Sequence, residues 1–280
     1  LYKEFKGKTK DNTYFIIFGD PVASTIGAIV AKIFNLTLVH IESGDLSFNF
    51  LEPFPEEFCR NINIRLADIM FAPTAWAKRN LEKMKLFGKK FNTTQNTIYE
   101  VCMWAKKVGK LPTFSKKYKK FYLLIMHRQE HVIFRRDWTK KILELVIKNA
   151  GQNLDCLIPG HPHTIMIIQS LQKSWPISLK KRVHLIPWVT YLEFIKMVEK
   201  AEFVATDGAS NQQEVYYLGK PCLALRDYTE QIEGLNENVI LCKSDESIIK
   251  NFLGNYKQYQ RKSIIQKESP SKIVVDRLFS

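Results

Sequence analysis

Six apolar runs in this sequence are followed directly by side chains able to do chemistry. Gly19-Asp20 follows YFIIF, and His40-Ile41-Glu42-Ser43-Gly44 follows LTLV. His127-Arg128-Gln129-Glu130 follows FYLLIM, and Gly160-His161-Pro162-His163 follows DCLIP. Thr206-Asp207-Gly208-Ala209-Ser210 follows EFVA, and Arg226-Asp227 follows CLAL. Carboxylates such as Asp20 and Glu42 can take or return a proton, and imidazoles such as His127 and His161 can shuttle one or donate to an anion. A single polar residue here means only that a strand has to end. Six of them in register have the geometry of a cleft for a substrate.

The positions differ in what they offer. Asp20 serves equally well as a helix cap. Glu42 ends an apolar strand two residues before a glycine, where partial burial would raise its pKa and suit it to proton transfer. Glu56 and Glu57 fall in the first turn of a helix, where compensation of the helix dipole explains an acid without any catalysis. His40 and His184 lie within strands and read as core residues, while His131 and His163 read as loop residues. The small-residue turn Gly208-Ala209-Ser210 opens a helix, so several backbone N–H groups face one point and make an anion site. Glu214, one turn on, can accept hydrogen bonds from vicinal hydroxyls such as a ribose diol. Phosphate recognition beside hydroxyl recognition points to a nucleotide. Neither a GxxxxGK[ST] nor a GxGxxG pattern is present.

These residues need strands and helices to place them. Strand-like runs at Tyr14–Phe18, Leu36–Ile41, Ile69–Ala72, Phe121–Met126, Asp155–Pro159, Val183–Ile186, Glu202–Thr206, Pro221–Leu225 and Val239–Cys242 alternate with helix-period segments. The helical segments include Ser24–Phe34, Pro55–Leu66, Thr74–Met84, Ile98–Val108, Arg135–Ala150, Thr190–Lys200, Asn211–Leu218 and Glu246–Phe252, and Lys85–Thr97 reads as a polar connection. Alternation implies parallel sheets, because each crossover needs a helix. The sequence therefore predicts an α/β protein of two Rossmann-like doubly wound domains. They cover residues 1–108 and 121–268, with a linker at 109–120 and a C-terminal helix at 269–280. Ligands of such folds bind beyond the carboxyl ends of the strands, in a cleft between domains.

Composition narrows the classes. The 280 residues are 45% hydrophobic and 25% charged, which is globular rather than disordered. No apolar run reaches the ~18 residues that span a bilayer, so no membrane partner is expected. The net charge of +14 is carried mostly by scattered Lys with interleaved acids and comes without a nucleic-acid motif. An anionic small molecule is the more economical partner than nucleic acid. The five cysteines are widely spaced and lack CxxC or Cys/His patterns, against a zinc site or disulfide framework and in favour of a reducing, cytoplasmic setting. The opening LYKEFKGKTK contains no apolar run of the signal-peptide kind.

Taken together, the motifs resemble the non-hydrolysing UDP-N-acetylglucosamine 2-epimerases. HIESG with PEEFCRNINIRLADIMFAPTAWAKRNL is similar to the family's HVEAGLRS…PEExNR…D…LFAPT…NL, and MHRQEHV resembles its HRRENV loop. GHP resembles an HPN-type loop, and TDGASNQQEVYYLGKPCLALRDYTEQIEG resembles TDSGGxQEEAPxLGKPxLxLRDxTERPEG. The resemblance covers about Phe15 to Asp245 with motif order intact. It implies the glycosyltransferase-B arrangement, a homodimer, and conversion of UDP-GlcNAc to UDP-ManNAc without NAD, metal or other cofactor. UDP would leave C1 to give 2-acetamidoglucal and then add back with the C2 configuration inverted. By motif position the resemblance implies catalytic roles for Asp20, Glu42, Glu56 and His127. It implies UDP contacts for His161, Gly208, Ala209, Ser210 and Glu214, and substrate binding for Arg60.

Departures accompany the match. Asp45 and Leu46 stand where the family has Leu-Arg after EAG, Gly208-Ala209-Ser210 replaces SGG, and Gln231 replaces an Arg. The family's first βα units, with a GTRPE-type phosphate loop, are expected upstream of Leu1, which makes the first domain incomplete. Four other functions remain open at this point: a hydrolysing epimerase, an epimerase of a modified UDP-sugar, a nucleotide-sugar binder that has lost catalysis, and a nucleic-acid binder.

Overall fold

The structure, a computed structural model, describes residues 7, 13–50 and 53–280. The opening LYKEFKGKTK, apart from Gly7, lies outside them. The chain divides into two compact units, Leu1–Glu100 with Gln266–Ser280, and Val101–Ile265. The division falls within a helix rather than at 109–120, and the C-terminal helix belongs to the first unit. Residues 109–120 lie inside the second unit. There Gly109 is held so close to the Leu192 carbonyl that a Cβ would stand 2.5 Å from its oxygen, and Thr113–Lys117 forms a short 3-10 turn.

The first unit is a four-stranded parallel sheet in sequential order: β1 (Tyr14–Phe18), β2 (Thr37–Ile41), β3 (Ile69–Ala72) and β4 (Lys89–Asn92). β4 falls inside Lys85–Thr97, read from the sequence as a polar connection. Its KKFN residues carry no apolar pattern because it is a short edge strand. Its helices are α1 (Val22–Ile33), α2 (Glu56–Leu66), α3 (Ala75–Lys83) and the start of α4 (Ile98–Val108). Alternate residues of the strands serve opposite faces. Ile17 and Leu38 pack with Ala28 and Ala31 of α1, and Met70 and Ala72 with Ile64, Ala77 and Leu81. Val39, Ile69 and Phe71 meet Val274 and Leu278 of the C-terminal helix Pro270–Phe279.

The second unit has six parallel strands. β5 (Phe121–Ile125), β6 (Asp155–Pro159) and β7 (Val183–Ile186) run outward in one direction, and β8 (Val204–Thr206), β9 (Cys222–Ala224) and β10 (Val239–Leu241) in the other. The order β10-β9-β8-β5-β6-β7 is doubly wound, and the direction reverses between β5 and β8. The pairing Ile125↔Thr206 sets the carboxyl ends of these two strands side by side. Tyr122, Leu124, Cys156, Ile158 and Ala205 form one face of the core with α5 (Arg136–Asn149), α6 (Pro162–Gln172) and the helix Glu246–Asn255. Helical period alone does not mark α6; its Pro162 sits at the first helical position, where a missing N–H is harmless. After the short α7 (Ile177–Lys180), α8 (Tyr191–Lys200) starts on a capping box of Thr190 and Glu193. α9 (Ala209–Leu218) follows Gly208 and ends on Gly219 in the left-handed conformation.

Candidate active site

In the first unit the β1 and β2 ends lie together, since Phe18 pairs with Ile41 and the Gly19 N–H donates to the Ile41 carbonyl at 3.0 Å. Glu42 turns away from β2 with φ +63°, a conformation that non-glycine residues rarely adopt. Its carboxylate lies against Gly19, where a Cβ would stand 3.1 Å from Glu42 Oε2. Arg60 of α2 pairs with Asp20, and its other amine donates to Glu57 at 2.8 Å. Asp20, Glu42 and Arg60 are therefore brought to one pair of strand ends. His40 is fully buried beneath them and donates through Nε2 to the Gly19 carbonyl at 2.9 Å; burial holds its pKa down to about 4.

The two neighbouring acids of α2 separate cleanly. Glu57 is buried and accepts from Ser47 N, Phe48 N and Arg60, so it ties a loop to the helix. Glu56 has a buried carboxylate oxygen with no hydrogen-bond partner among the described residues. An acceptor left in that state is a place for a ligand or a transferred proton.

In the second unit a cavity of about 350 Å³ opens at the carboxyl ends of β5 to β8. His127, His161, Asn211 and Glu214 supply its polar wall, and Met126, Trp188, Tyr191 and Phe194 most of the apolar one. This is the switch point at which doubly wound sheets bind ligands. Gly208 stands beside it, and a Cβ there would meet Asn211 Oδ1 at 2.5 Å and His127 Cε1 at 2.9 Å. The first-turn N–H groups of α9 have no carbonyl inside the helix to meet. Ala209 and Ser210 form that turn without lining the cavity.

The electrostatics of this wall are uneven. Burial pushes the Glu214 carboxyl up to about 7, against the opposing pull of its hydrogen bonds with Asn211 and Tyr191. Burial also lowers the pKa of His161, helped by the neighbouring His127 and His163 rings. His161 Nδ1 is buried without a hydrogen-bond partner among the described residues.

Behind the cavity lies a network that strand-end reasoning did not assign. Asp207, fully buried, accepts from His127 N, Arg128 N and His131 Nδ1 at 3.0 Å each. Burial alone would raise its pKa; the His131 bond and the charges of His127, His131 and Arg128 outweigh it and hold the carboxyl at about 2. Arg128 donates to Glu230 at 2.6 Å, and Glu230 faces the buried Arg226 at 3.3 Å. Burial, then the neighbouring Arg128, draws Arg226 down to about 10. His131 is completely buried rather than a loop residue. The signal for Asp207 was its place between an apolar strand and Gly208; nothing local marked His131.

A profile of UDP-N-acetylglucosamine 2-epimerases matches residues 8–270. The chain belongs to the UDP-N-acetylglucosamine 2-epimerase family. It is 30% identical to the UDP-N-acetylglucosamine 2-epimerase of Neisseria meningitidis serogroup A, a match covering 94% of this chain and 75% of the relative. It is 29% identical to the UDP-2,3-diacetamido-2,3-dideoxy-D-glucuronate 2-epimerase of Pseudomonas aeruginosa, over 78% of this chain and 60% of that one. Several further curated members of the family are matched over 66% of their length, so the chain spans just under two thirds of them. The crystal structure of the Neisseria meningitidis UDP-GlcNAc 2-epimerase bound to UDP-GlcNAc superposes with a TM-score of 0.81 at 27% identity, over 99% of this chain and 77% of that one. Among the described residues no helix of this epimerase-family chain is long and apolar enough to cross a membrane.

Proposed function

We propose that this chain carries the nucleotide-sugar site and the acid–base residues of an enzyme that epimerises UDP-GlcNAc at C2 to give UDP-ManNAc. The observation that carries the reading is the switch-point cavity of the second unit, in a chain of this family. It sets an apolar wall, a carboxyl group and two imidazoles around one space, with the start of α9 beside it. In this reading the uracil lies among Trp188, Tyr191 and Phe194, and Glu214 accepts from the ribose hydroxyls. The diphosphate meets His127, His161 and the first turn of α9, where ring and backbone N–H donors and the helix dipole stabilise it as it leaves.

Asp20, Glu42 and Glu56 are the acid–base candidates, and Arg60 orients Asp20. A base removes the C2 proton while the C1–O bond breaks, its electron pair leaving with UDP. The sugar is left as 2-acetamidoglucal. Return of a proton to the opposite face of C2 and of the UDP oxygen to C1 completes the inversion without net redox change. The left-handed backbone at Glu42 supports this assignment, because such strain persists where the surroundings demand a particular side-chain direction.

The test is incubation with UDP-GlcNAc in heavy water followed by NMR. Deuterium at C2 and the appearance of UDP-ManNAc are expected; UDP binding without exchange would overturn catalysis and leave a binding protein. The likeness to the Pseudomonas aeruginosa enzyme supports a second substrate reading, a diacetamido-uronic acid carried on UDP. Exchange with that sugar and none with UDP-GlcNAc would decide for it.

A further inference from the structure

Asp207 accepts from three residues behind the cavity. Its Oδ2 takes His127 N at 3.1 Å, Arg128 N at 3.0 Å and His131 Nδ1 at 3.0 Å, and its Oδ1 takes His127 N at 3.0 Å. A carboxylate only accepts, so His131 carries its proton on Nδ1. His127 Nδ1 lies 3.4 Å from Oδ1. Both backbone N–H groups of the 127–128 turn thus point inward and are spent on Asp207. What the turn offers a bound anion is the far side of the His127 ring, which lines the cavity. Its direction is set by Asp207.

His131 is fixed in its turn. It is fully buried, its ring lies 4.8 Å from that of Trp138, and its carbonyl accepts from Thr139 Oγ1 at 2.7 Å. Without its Nδ1–H, Asp207 would keep a buried charge with one donor fewer. That imbalance is relieved by rotation of the carboxylate, which carries the 127–128 turn with it.

We propose that His131 and Asp207 are positioning residues that hold the His127 imidazole at the diphosphate subsite. The proposal rests on the reading of this cavity as a UDP site. A side chain of different shape can fill the same office. Asn carries its amide nitrogen on Cγ, as His carries Nδ1, so it can donate to Asp207 from nearly the same place.

The test compares UDP with uridine by isothermal titration calorimetry on the whole chain, since uridine lacks the phosphates that His127 would meet. Wild-type protein binds UDP more tightly than uridine. His131→Leu reduces that preference at least tenfold while uridine affinity stays within threefold, and His131→Asn restores it. Asp207→Asn, which turns an acceptor into a donor facing other donors, behaves like His131→Leu. A preference retained in His131→Leu overturns the proposal. So does an equal loss of uridine and UDP binding, which marks His131 as packing alone, and so does failure of His131→Asn to rescue. Wild-type protein that binds UDP no better than uridine sinks the reading of the site, and the proposal with it.

Discussion

Glu214→Gln should make the protein more stable and bind UDP less well, with the two effects separable by pH. Glu214 is 3% exposed, and burial raises its carboxyl from 4.5 to about 7 even though Asn211 and Tyr191 hydrogen-bond to it. A carboxyl with a raised folded-state pKa holds its proton more tightly in the folded chain than in the unfolded one. The resulting stabilisation is full below 4.5 and is lost as pH rises through about 7. The gap is worth roughly 3 kcal/mol once the group is ionised in both states. Gln has nearly the same shape and cannot ionise. Urea unfolding of wild type and variant should agree within about 1 kcal/mol near pH 5 and diverge by roughly 3 kcal/mol near pH 9 in favour of Gln. UDP affinity at neutral pH should fall about tenfold, as one good acceptor becomes a donor. Parallel stability curves at the two pH values would refute the buried-carboxyl argument. Undiminished UDP affinity would remove Glu214 from the ribose.

Three other perturbations test the remaining parts. Arg60→Gln should cost about 3 kcal/mol in urea unfolding, because it strips the buried Glu57 and the partly buried Asp20 of their cation. Adding Glu57→Gln should recover much of that loss, and simple additivity would count against the pairing. Gly208→Ala places a Cβ 2.5 Å from Asn211 Oδ1 and 2.9 Å from His127 Cε1; UDP affinity should fall at least about tenfold with an unchanged circular dichroism spectrum. Glu42→Gln should abolish deuterium exchange at C2 and spare UDP binding, and surviving exchange would exclude Glu42 from the reaction.

How far the site was legible in the sequence depended on the range of each interaction. Strand ends are local, and alternation of apolar runs with helical periods sufficed to place Asp20, Glu42, His127 and Gly208 at the carboxyl edges of parallel strands. β4 escaped notice because an edge strand of four residues needs little apolar surface to pair with one neighbour. The role of His131 escaped because its partner is Asp207, 76 residues away. Nothing in MHRQEHV distinguishes a histidine that will be sealed in the core from one in solvent. The adjacent acids Glu56 and Glu57 show the limit most sharply. Both fit the first turn of α2, and the spacing from Glu57 to Arg60 is an ordinary i,i+3 helix pair. Glu57 has its oxygens taken up by Arg60 and by the Ser47 and Phe48 N–H groups, while Glu56 keeps a buried oxygen without a hydrogen-bond partner among the described residues. The acid with an uncommitted buried oxygen is the better candidate for proton transfer, a distinction that neither residue type nor helix position makes.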